Sequence, residues 1–335
     1  MIRFECDYGE GAAQPVLDLL QKTNLEQTPG YGMDDYCDQA RGLIRKLCDA
    51  PDAGVHFFVG ATQANFTVVD ALLKPWQGVL CADSGHITVH ETGAVEATGH
   101  KCLALPNKNG KITARQIRHA VEEHRANASH EHEVQPGMVY ISNPTEVGTL
   151  YTNAVLSVIS AACFVLGLYL FVVGARMAYG LMSEANDLTL QDYANLCDVF
   201  YLGGTKCGAL FGEAVIINNP DLDQDFRYAI KQHGAMLAKG RLLGEQFLAL
   251  LDGEDGTGNS LYLTNDAYLN NVAYQALNGM NGTVGVYNYK TGEILCMVST
   301  PTFDPANPPD IAADDPAWDG VYVNRLLSAN SIPGS

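Results

Sequence analysis

Short apolar runs, each ending in a turn of small or polar residues, recur along the first two thirds of the chain. Such runs predict strands that are buried on both faces. They cover 55–59, 78–82, 139–142, 168–173, 199–202 and 214–217. Segments with helical spacing of apolar positions lie between several of them, at 14–22, 34–48, from the turn at 60–65 to about 73, and at 113–126. This alternation predicts an α/β fold with a mostly parallel sheet and helices on both faces.

The residues that follow the predicted strands carry most of the candidate chemistry. They are 60–65, 84–86, 143–146, 174–176 and 205–206. Ligands of such sheets bind in the crevice outside the carboxyl ends of the strands. The pattern therefore brings together a lysine, a histidine, an arginine and a turn whose free backbone N–H groups could hold a phosphate.

Lys206 lies in a glycine-rich turn between two predicted core strands, flanked by Gly203, Gly204 and Gly208. Apolar surroundings lower the pKa of a lysine, and a neutral amine attacks carbonyl carbons. The alternative is a surface lysine in a hairpin turn, and the turn by itself does not decide between the two.

Composition excludes some partners. With 335 residues the chain is long enough for about two domains. A net charge of −18 argues against nucleic acid and anionic membranes as partners. Nine cysteines without CxxC pairs, and a first stretch without a signal-peptide pattern, favour a cytoplasmic protein with reduced thiols. His130 and His132 fit a solvated loop better than a metal site, and we expect no metal.

At these strand ends the sequence resembles the threonine aldolase and beta-eliminating lyase family of pyridoxal-phosphate enzymes. The resemblance runs over about 4–250 and is closest at 25–36, 60–65, 83–99, 139–151, 174–183 and 198–244. It implies a fold-type I large domain, pyridoxal 5'-phosphate as cofactor, an amino-acid substrate and a homodimer or homotetramer with sites at subunit interfaces.

The resemblance also implies roles for individual residues. Lys206 would form the Schiff base, and His86 would stack on the pyridine ring and is a candidate for the catalytic base. The turn at Ala61, Thr62 and Gln63 would hold the phosphate. The remaining implied residues are Arg176 beside the cofactor, Tyr31 and Asp34 reaching the neighbouring site, Glu146 facing the substrate, and Arg241 as a basic residue left for the substrate carboxylate.

One position departs from the family pattern inside the site. The family has an aspartate, paired to the pyridine nitrogen, immediately before Gly-Ala-Arg, and this chain has Val173 before Gly174. Losing a buried charge partner is worth about 3–5 kcal/mol, which is orders of magnitude in rate. We therefore expect weak or absent catalysis even where the cofactor binds.

The uncharged stretch Ala154–Ala175 allows two interpretations. Its length and polarity fit a membrane-spanning helix. Two serines and Gly167 dilute it, and the resemblance implies a helix, a turn at Gly167 and a core strand, so we expect no membrane partner. The helical part has no polar face, which predicts either a covering partner or a liability to aggregate.

The family resemblance stops near residue 251, and 252–260 reads as a linker. Residues 261–335 resemble the start of a penicillin-binding protein transpeptidase domain instead of the family's small domain. The pieces that carry this are 261–266 before a helix to about 277, a hairpin of 283–289 and 293–299, 301–305, 322–325 and Pro-Gly-Ser at 333–335. The chain ends on the serine of that family's nucleophile motif without its lysine, so we expect an incomplete, inactive α+β fragment.

The sequence thus predicts three segments, with 1–251 as the cofactor-binding domain, 252–260 as a linker and 261–335 as a truncated fragment. The leading hypothesis is a lyase that cleaves threonine to glycine and acetaldehyde, impaired by Val173 and by the missing small domain. The alternatives are a non-catalytic relic or chimeric protein that keeps the fold, and a lyase acting by β-elimination on an aromatic amino acid.

Overall fold

The structure is a computed structural model, and it describes residues 6–251, 267–287, 290 and 294–302. Contacts between residues divide the chain into two units. The larger comprises Phe4–Gly256, and the smaller comprises Thr257–Ser335 with Met1–Arg3. The predicted linker 252–260 and most of the predicted motifs after 302 lie outside the described residues. The two units are taken separately below.

The buried strands of the larger unit form one sheet in its described part. They are β1 (Gly54–Phe58), β2 (Gln77–Ala82), β3 (Cys102–Leu105), β4 (Gln135–Ser142), β5 (Tyr169–Val173), β6 (Val199–Gly203) and β7 (Glu213–Ile217). Their order is β1-β7-β6-β5-β4-β2-β3. Within this sheet β7 pairs antiparallel with β1 and β6, and the other pairs are parallel. The predicted mostly parallel sheet is confirmed.

Helices cover the sheet and connect its strands. They are α1 (Gln14–Thr23), α2 (Asp35–Cys48), α3 (Ala61–Leu72), α4 (His86–Val89), α5 (Ala114–Ala126), α6 (Asn153–Leu166), α7 (Met177–Leu181), α8 (Leu190–Leu196), α9 (Pro220–Asp223), α10 (Phe226–Gln232) and α11 (Arg241–Leu251). Local chemistry sets several of their ends. Thr113 begins α5 with a capping box to Gln116, and Gly167 ends α6 in the left-handed conformation.

Alternate residues of β5 enter two separate cores. Leu170 and Val172 join one cluster of buried side chains, which also contains Leu156 of α6. Phe171 and Val173 join the other cluster. Successive side chains of a strand point to opposite faces of its sheet, so both faces are covered, as predicted.

The uncharged stretch 154–175 forms most of α6, a turn at Gly167 and β5. None of the helices in the described residues is both long and apolar enough to cross a membrane. Leu156 and Ile159 are fully buried, but Phe164 is 88% exposed and Val165 71% exposed. The apolar outer face that the sequence predicts for this helix is therefore present in the structure.

The described part of the smaller unit contains helix α12 (Ala267–Leu277) and strands β8 (Gly282–Tyr287) and β9 (Ile294–Thr300). The two strands pair antiparallel. Of the predicted turn between them, 291–292 lies outside the described residues. So do the predicted segments 261–266, 303–305, 322–325 and 333–335.

Candidate active site

Lys206 lies in a turn that leaves the carboxyl end of β6 and returns as β7. The N–H groups of Gly204 and Thr205 both donate to the carbonyl of Gly212, at 2.9 and 3.0 Å. A Cβ at Gly204 would meet that carbonyl oxygen at 2.8 Å, so the turn requires glycine there. The Lys206 side chain is 16% exposed. The sequence prediction of a lysine in a tight turn between core strands matches this geometry.

Two residues near the amino terminus approach Lys206. The carboxylate of Asp7 forms a bidentate ion pair with Arg176, and its Oδ1 lies 3.7 Å from Lys206 Nζ. The ring of Tyr8 lies 5.4 Å from the same Nζ. Burial alone raises the pKa of Asp7, but the hydrogen bond from Arg176 and the charges of Arg176 and Lys206 outweigh it and lower that pKa overall. The cationic side chains of Lys206 and Arg176 thus both lie close to one carboxylate of the same chain, that of Asp7.

A second carboxyl group lies behind the lysine turn. Glu213 is the first residue of β7 and is 3% exposed. Burial raises the pKa of Glu213 to about 8, although a hydrogen bond with Thr205 and the charge of Lys206 act in the opposite direction. Its Oε2 is buried without a hydrogen-bond partner among the described residues. A carboxyl group in this setting holds its proton at neutral pH.

His86 is the first residue of α4, after the carboxyl end of β2, and two glutamates hold it. Its Nδ1 lies 2.6 Å from Glu91 Oε1, which also accepts from Asn65 Nδ2 at 2.6 Å. The backbone N–H of His86 donates to Glu146 Oε1 at 3.0 Å, and Ser142 Oγ donates to the same oxygen at 2.6 Å. Because Nδ1 is engaged, the other ring nitrogen, Nε2, is the one left to face a ligand.

The turn before α3 has the geometry of an anion site. Gly60 precedes the helix, no side chain caps its first turn, and a Cβ at Gly60 would meet only open space. Ala61, Thr62 and Gln63 therefore present backbone N–H groups at the positive end of a 12-residue helix. The Gln63 side chain donates to the carbonyl of His233 at 3.2 Å, while its Oε1 is buried without a partner in the described structure.

Between the lysine and histidine groups the sheet face is apolar apart from two phenols. Val173 ends β5 and is 4% exposed. Tyr140 of β4 and Tyr201 of β6 share its cluster. Both hydroxyl groups are buried, and neither has a hydrogen-bond partner among the described residues. This face therefore offers donors but no carboxylate at the end of β5.

Three of the implied residues lie elsewhere in the larger unit. Tyr31 has a left-handed backbone (φ 61°), and its ring lies 4.8 Å from Lys231 Nζ. Asp34 is buried and caps α2 by accepting from Cys37 N at 2.9 Å. Arg241 donates to backbone carbonyls of 24 and 26, at 3.3 and 3.2 Å. The contacts described for these three side chains are with their own surroundings, and none involves Lys206 or His86.

His130 and His132 lie in an exposed single turn of 3₁₀ helix. Among the described residues, no group of three or more histidine, cysteine, aspartate or glutamate side chains is placed to hold a metal ion.

The converging residues fit the cofactor that the resemblance implies. A phosphate matches the uncapped start of α3. An aldehyde matches the amine of Lys206, which the turn holds at the carboxyl end of β6. The fit is incomplete at Val173, which places only methyl groups where the family pattern has an acid.

Comparisons with known proteins identify the family. A low specificity L-threonine aldolase from Pseudomonas sp. is 31% identical over 273 residues, which is 81% of this chain and 76% of that protein. The structure of a Leishmania major threonine aldolase superposes with a TM-score of 0.73 at 42% identity, covering 87% of this chain and 92% of the other. The likeness confirms the predicted fold-type I architecture for the larger unit.

A different protein matches a smaller part. The peptidoglycan D,D-transpeptidase MrdA of Acinetobacter baumannii is 48% identical over 84 residues, which is 23% of this chain and 12% of that protein. This similarity is too partial to describe the whole chain. The family profile described as beta-eliminating lyase, in contrast, matches residues 19–287. With the lysine turn, the uncapped helix and two threonine aldolases agreeing, the chain belongs to the beta-eliminating lyase family.

Proposed function

We propose that the chain is a pyridoxal-phosphate lyase of threonine aldolase type, which cleaves a β-hydroxy amino acid such as threonine into glycine and an aldehyde. The observation that carries the proposal is Lys206, held by a glycine-constrained turn at the carboxyl end of β6 beside Arg176. Membership of the family implies pyridoxal phosphate as the cofactor. When bound, this group withdraws electrons from a bond at the Cα of an amino acid.

The chain's own residues would then divide the work. Lys206 supplies the amine that holds the cofactor, and the start of α3 binds its phosphate. Arg176 already binds the carboxylate of Asp7, so its guanidinium is suited to the carboxylate of a substrate. His86 Nε2 takes the proton of the β-hydroxyl group while the bond from Cα to Cβ breaks and acetaldehyde leaves. Cα then takes a proton to give glycine.

The proposal includes impaired catalysis. Val173 provides no acid to keep the ring nitrogen protonated. The valine at 173 favours a second candidate function, that of a non-catalytic protein that keeps the fold and binds the cofactor. β-elimination from an aromatic amino acid is a third possibility within the same family chemistry. Release of glycine and acetaldehyde from threonine distinguishes the first of these from the other two.

The decisive experiment is to load the full-length chain with pyridoxal phosphate, reduce it with borohydride and locate the added mass by peptide mass spectrometry. We expect the label on Lys206. A Lys206→Ala variant should lose it, while Lys74→Ala, which changes an exposed lysine, should keep it. A folded parent without a label, or with the label unchanged in Lys206→Ala, contradicts the proposal.

For the segment 261–335 we propose a relationship to penicillin-binding protein transpeptidase domains. The partial similarity to MrdA supports this relationship, as does the antiparallel pair β8 and β9. A fluorescent penicillin tests whether this segment is acylated. We expect no covalent label, and labelling at Ser335 would contradict that expectation.

We further propose a cytoplasmic homodimer or homotetramer. The apolar outer face of α6, with Phe164 88% exposed, is a surface that association of copies could cover. Light scattering of the purified chain gives the mass, and a monomer at all concentrations would contradict the oligomer.

A further inference from the structure

Two phenol hydroxyl groups are buried on the face of the sheet that also carries Val173. Tyr140 is 1% exposed and Tyr201 is 0% exposed. Neither hydroxyl group has a hydrogen-bond partner among the described residues. Leaving a buried polar group unpaired is unfavourable, and such groups in folded proteins usually meet a ligand, an ion or a water molecule.

The strand register places one of them next to Val173. On the neighbouring strand Val172 pairs with Phe200, so Tyr201 follows at the level of Val173. Both side chains belong to the same buried cluster, on the face that also holds Ile87 of α4. Tyr140 pairs with Phe171 instead, one step below Val173 on its face of the sheet.

Acidic groups near the lysine turn and near His86 both act on the hydroxyl group of Tyr201. Burial raises the pKa of Tyr201, and Glu213, Tyr140, Glu91 and Glu146 raise it further once they are ionised. Glu213 lies behind the lysine turn, and the other two glutamates hold His86. The Tyr201 hydroxyl group is therefore a neutral donor that keeps its proton between the lysine and histidine groups.

We propose that the Tyr201 hydroxyl group donates a hydrogen bond to the pyridine nitrogen of the cofactor, at the place that Val173 leaves without a polar atom. The inference rests on the proposed function, because it assumes that pyridoxal phosphate binds at Lys206. A phenol that keeps its proton donates a hydrogen bond to the ring nitrogen without giving it a positive charge. Tyr201 thus contributes to holding the cofactor, while the electron withdrawal that an acid would promote stays weak.

The test compares two ligands of the full-length chain. One is pyridoxal phosphate, and the other is its 1-deaza analogue, in which a C–H group replaces the pyridine nitrogen. We expect the wild-type chain to bind pyridoxal phosphate about three- to tenfold more tightly, the range that one neutral hydrogen bond accounts for. Tyr201→Phe should lose this preference by weakening the binding of pyridoxal phosphate alone.

Tyr140→Phe is the matched control, because it removes the other buried phenol hydroxyl group from the same cluster. It should keep the wild-type preference. Equal affinities of the wild-type chain for both ligands overturn the inference while the label on Lys206 stands, and this holds even if Tyr201→Phe does not fold. An undiminished preference in Tyr201→Phe also overturns it. Binding of neither ligand overturns the proposed function and this inference together.

Discussion

Glu213 gives the sharpest test of the electrostatics behind the lysine turn. We predict that Glu213→Gln flattens the pH dependence of stability of the cofactor-free chain between pH 5 and 8. Burial raises the pKa of the folded carboxyl group to about 8 from an ordinary value of 4.5. Between these values the folded protein holds a proton that the unfolded chain has released. Raising the pH therefore favours unfolding.

The magnitude follows from the two pKa values. The gap between 4.5 and about 8 corresponds to about 5 kcal/mol of unfolding free energy. Glutamine is neutral at every pH and nearly isosteric with the protonated acid, so the variant lacks this contribution. Relative to wild type, Glu213→Gln should gain stability as the pH rises from 5 to 8, by about 3.5 kcal/mol, because part of the full contribution lies outside this window.

Urea unfolding followed by far-UV circular dichroism, at pH 5, 6.5 and 8, measures this difference. Glu122→Gln is the control, since it removes an exposed carboxylate from α5 and should run parallel to wild type. The reasoning is refuted if wild type and Glu213→Gln also run parallel. Parallel curves with the variant less stable at every pH would show that Glu213 is ionised and paired with Lys206.

Three further predictions concern neighbouring groups. Asp7→Asn should tighten the binding of glycine to the cofactor-loaded chain by up to about fivefold, as measured by calorimetry. The reason is that Asp7 competes with glycine for Arg176, in a partly exposed ion pair. An unchanged affinity would show that there is no such competition. Val173→Asp should raise the rate of acetaldehyde release from threonine at least about tenfold and lower the Tm of the cofactor-free chain. Val173→Asn should lower the Tm without raising the rate. Equal rates in the two variants would count against the role of charge. His56 lies 2.5 Å from Asp223 and, with Arg45, lowers the pKa of Asp223 below 3.8 despite burial. Asp223→Asn should therefore lower the free energy of unfolding by about 1 kcal/mol at pH 7, and this deficit should shrink in urea titrations as the pH falls below 3.8. A deficit that persists at pH 3 would contradict the charge pairing.

The central sheet could be predicted because its strands are buried on both faces. The run at 168–173, for example, is apolar at every position, and the structure buries it on both sides of the sheet. Strand β3 was missed. It spans four residues at the edge of the sheet, and Ala104 in its middle is exposed. A short, half-exposed edge strand lacks both the apolar run and the strict alternation that identify strands in a sequence.

The site divides in the same way. Lys206, His86, Arg176 and Glu146 follow strands directly, so the topology alone places them at one edge of the sheet. Asp7 could not be found this way, because it reaches Arg176 across 169 residues of sequence and follows none of the predicted strands. Glu213 did carry a signal: a carboxylate opening an otherwise apolar run beside the lysine turn is costly to bury unless a partner or a proton neutralises it.

At position 173, the side chain that suits the packing of the fold differs from the acid that the family chemistry would need. Its side chain is 4% exposed in an apolar cluster. A carboxylate there would have to be desolvated, and a valine avoids that cost. The substitution is therefore expected to favour the folded cofactor-free chain while it removes the acid from the ring nitrogen. A close likeness in fold, such as that to the Leishmania major enzyme, is compatible with either outcome for catalysis. The valine suits the packing that produces the likeness, and we propose that the same residue weakens the reaction.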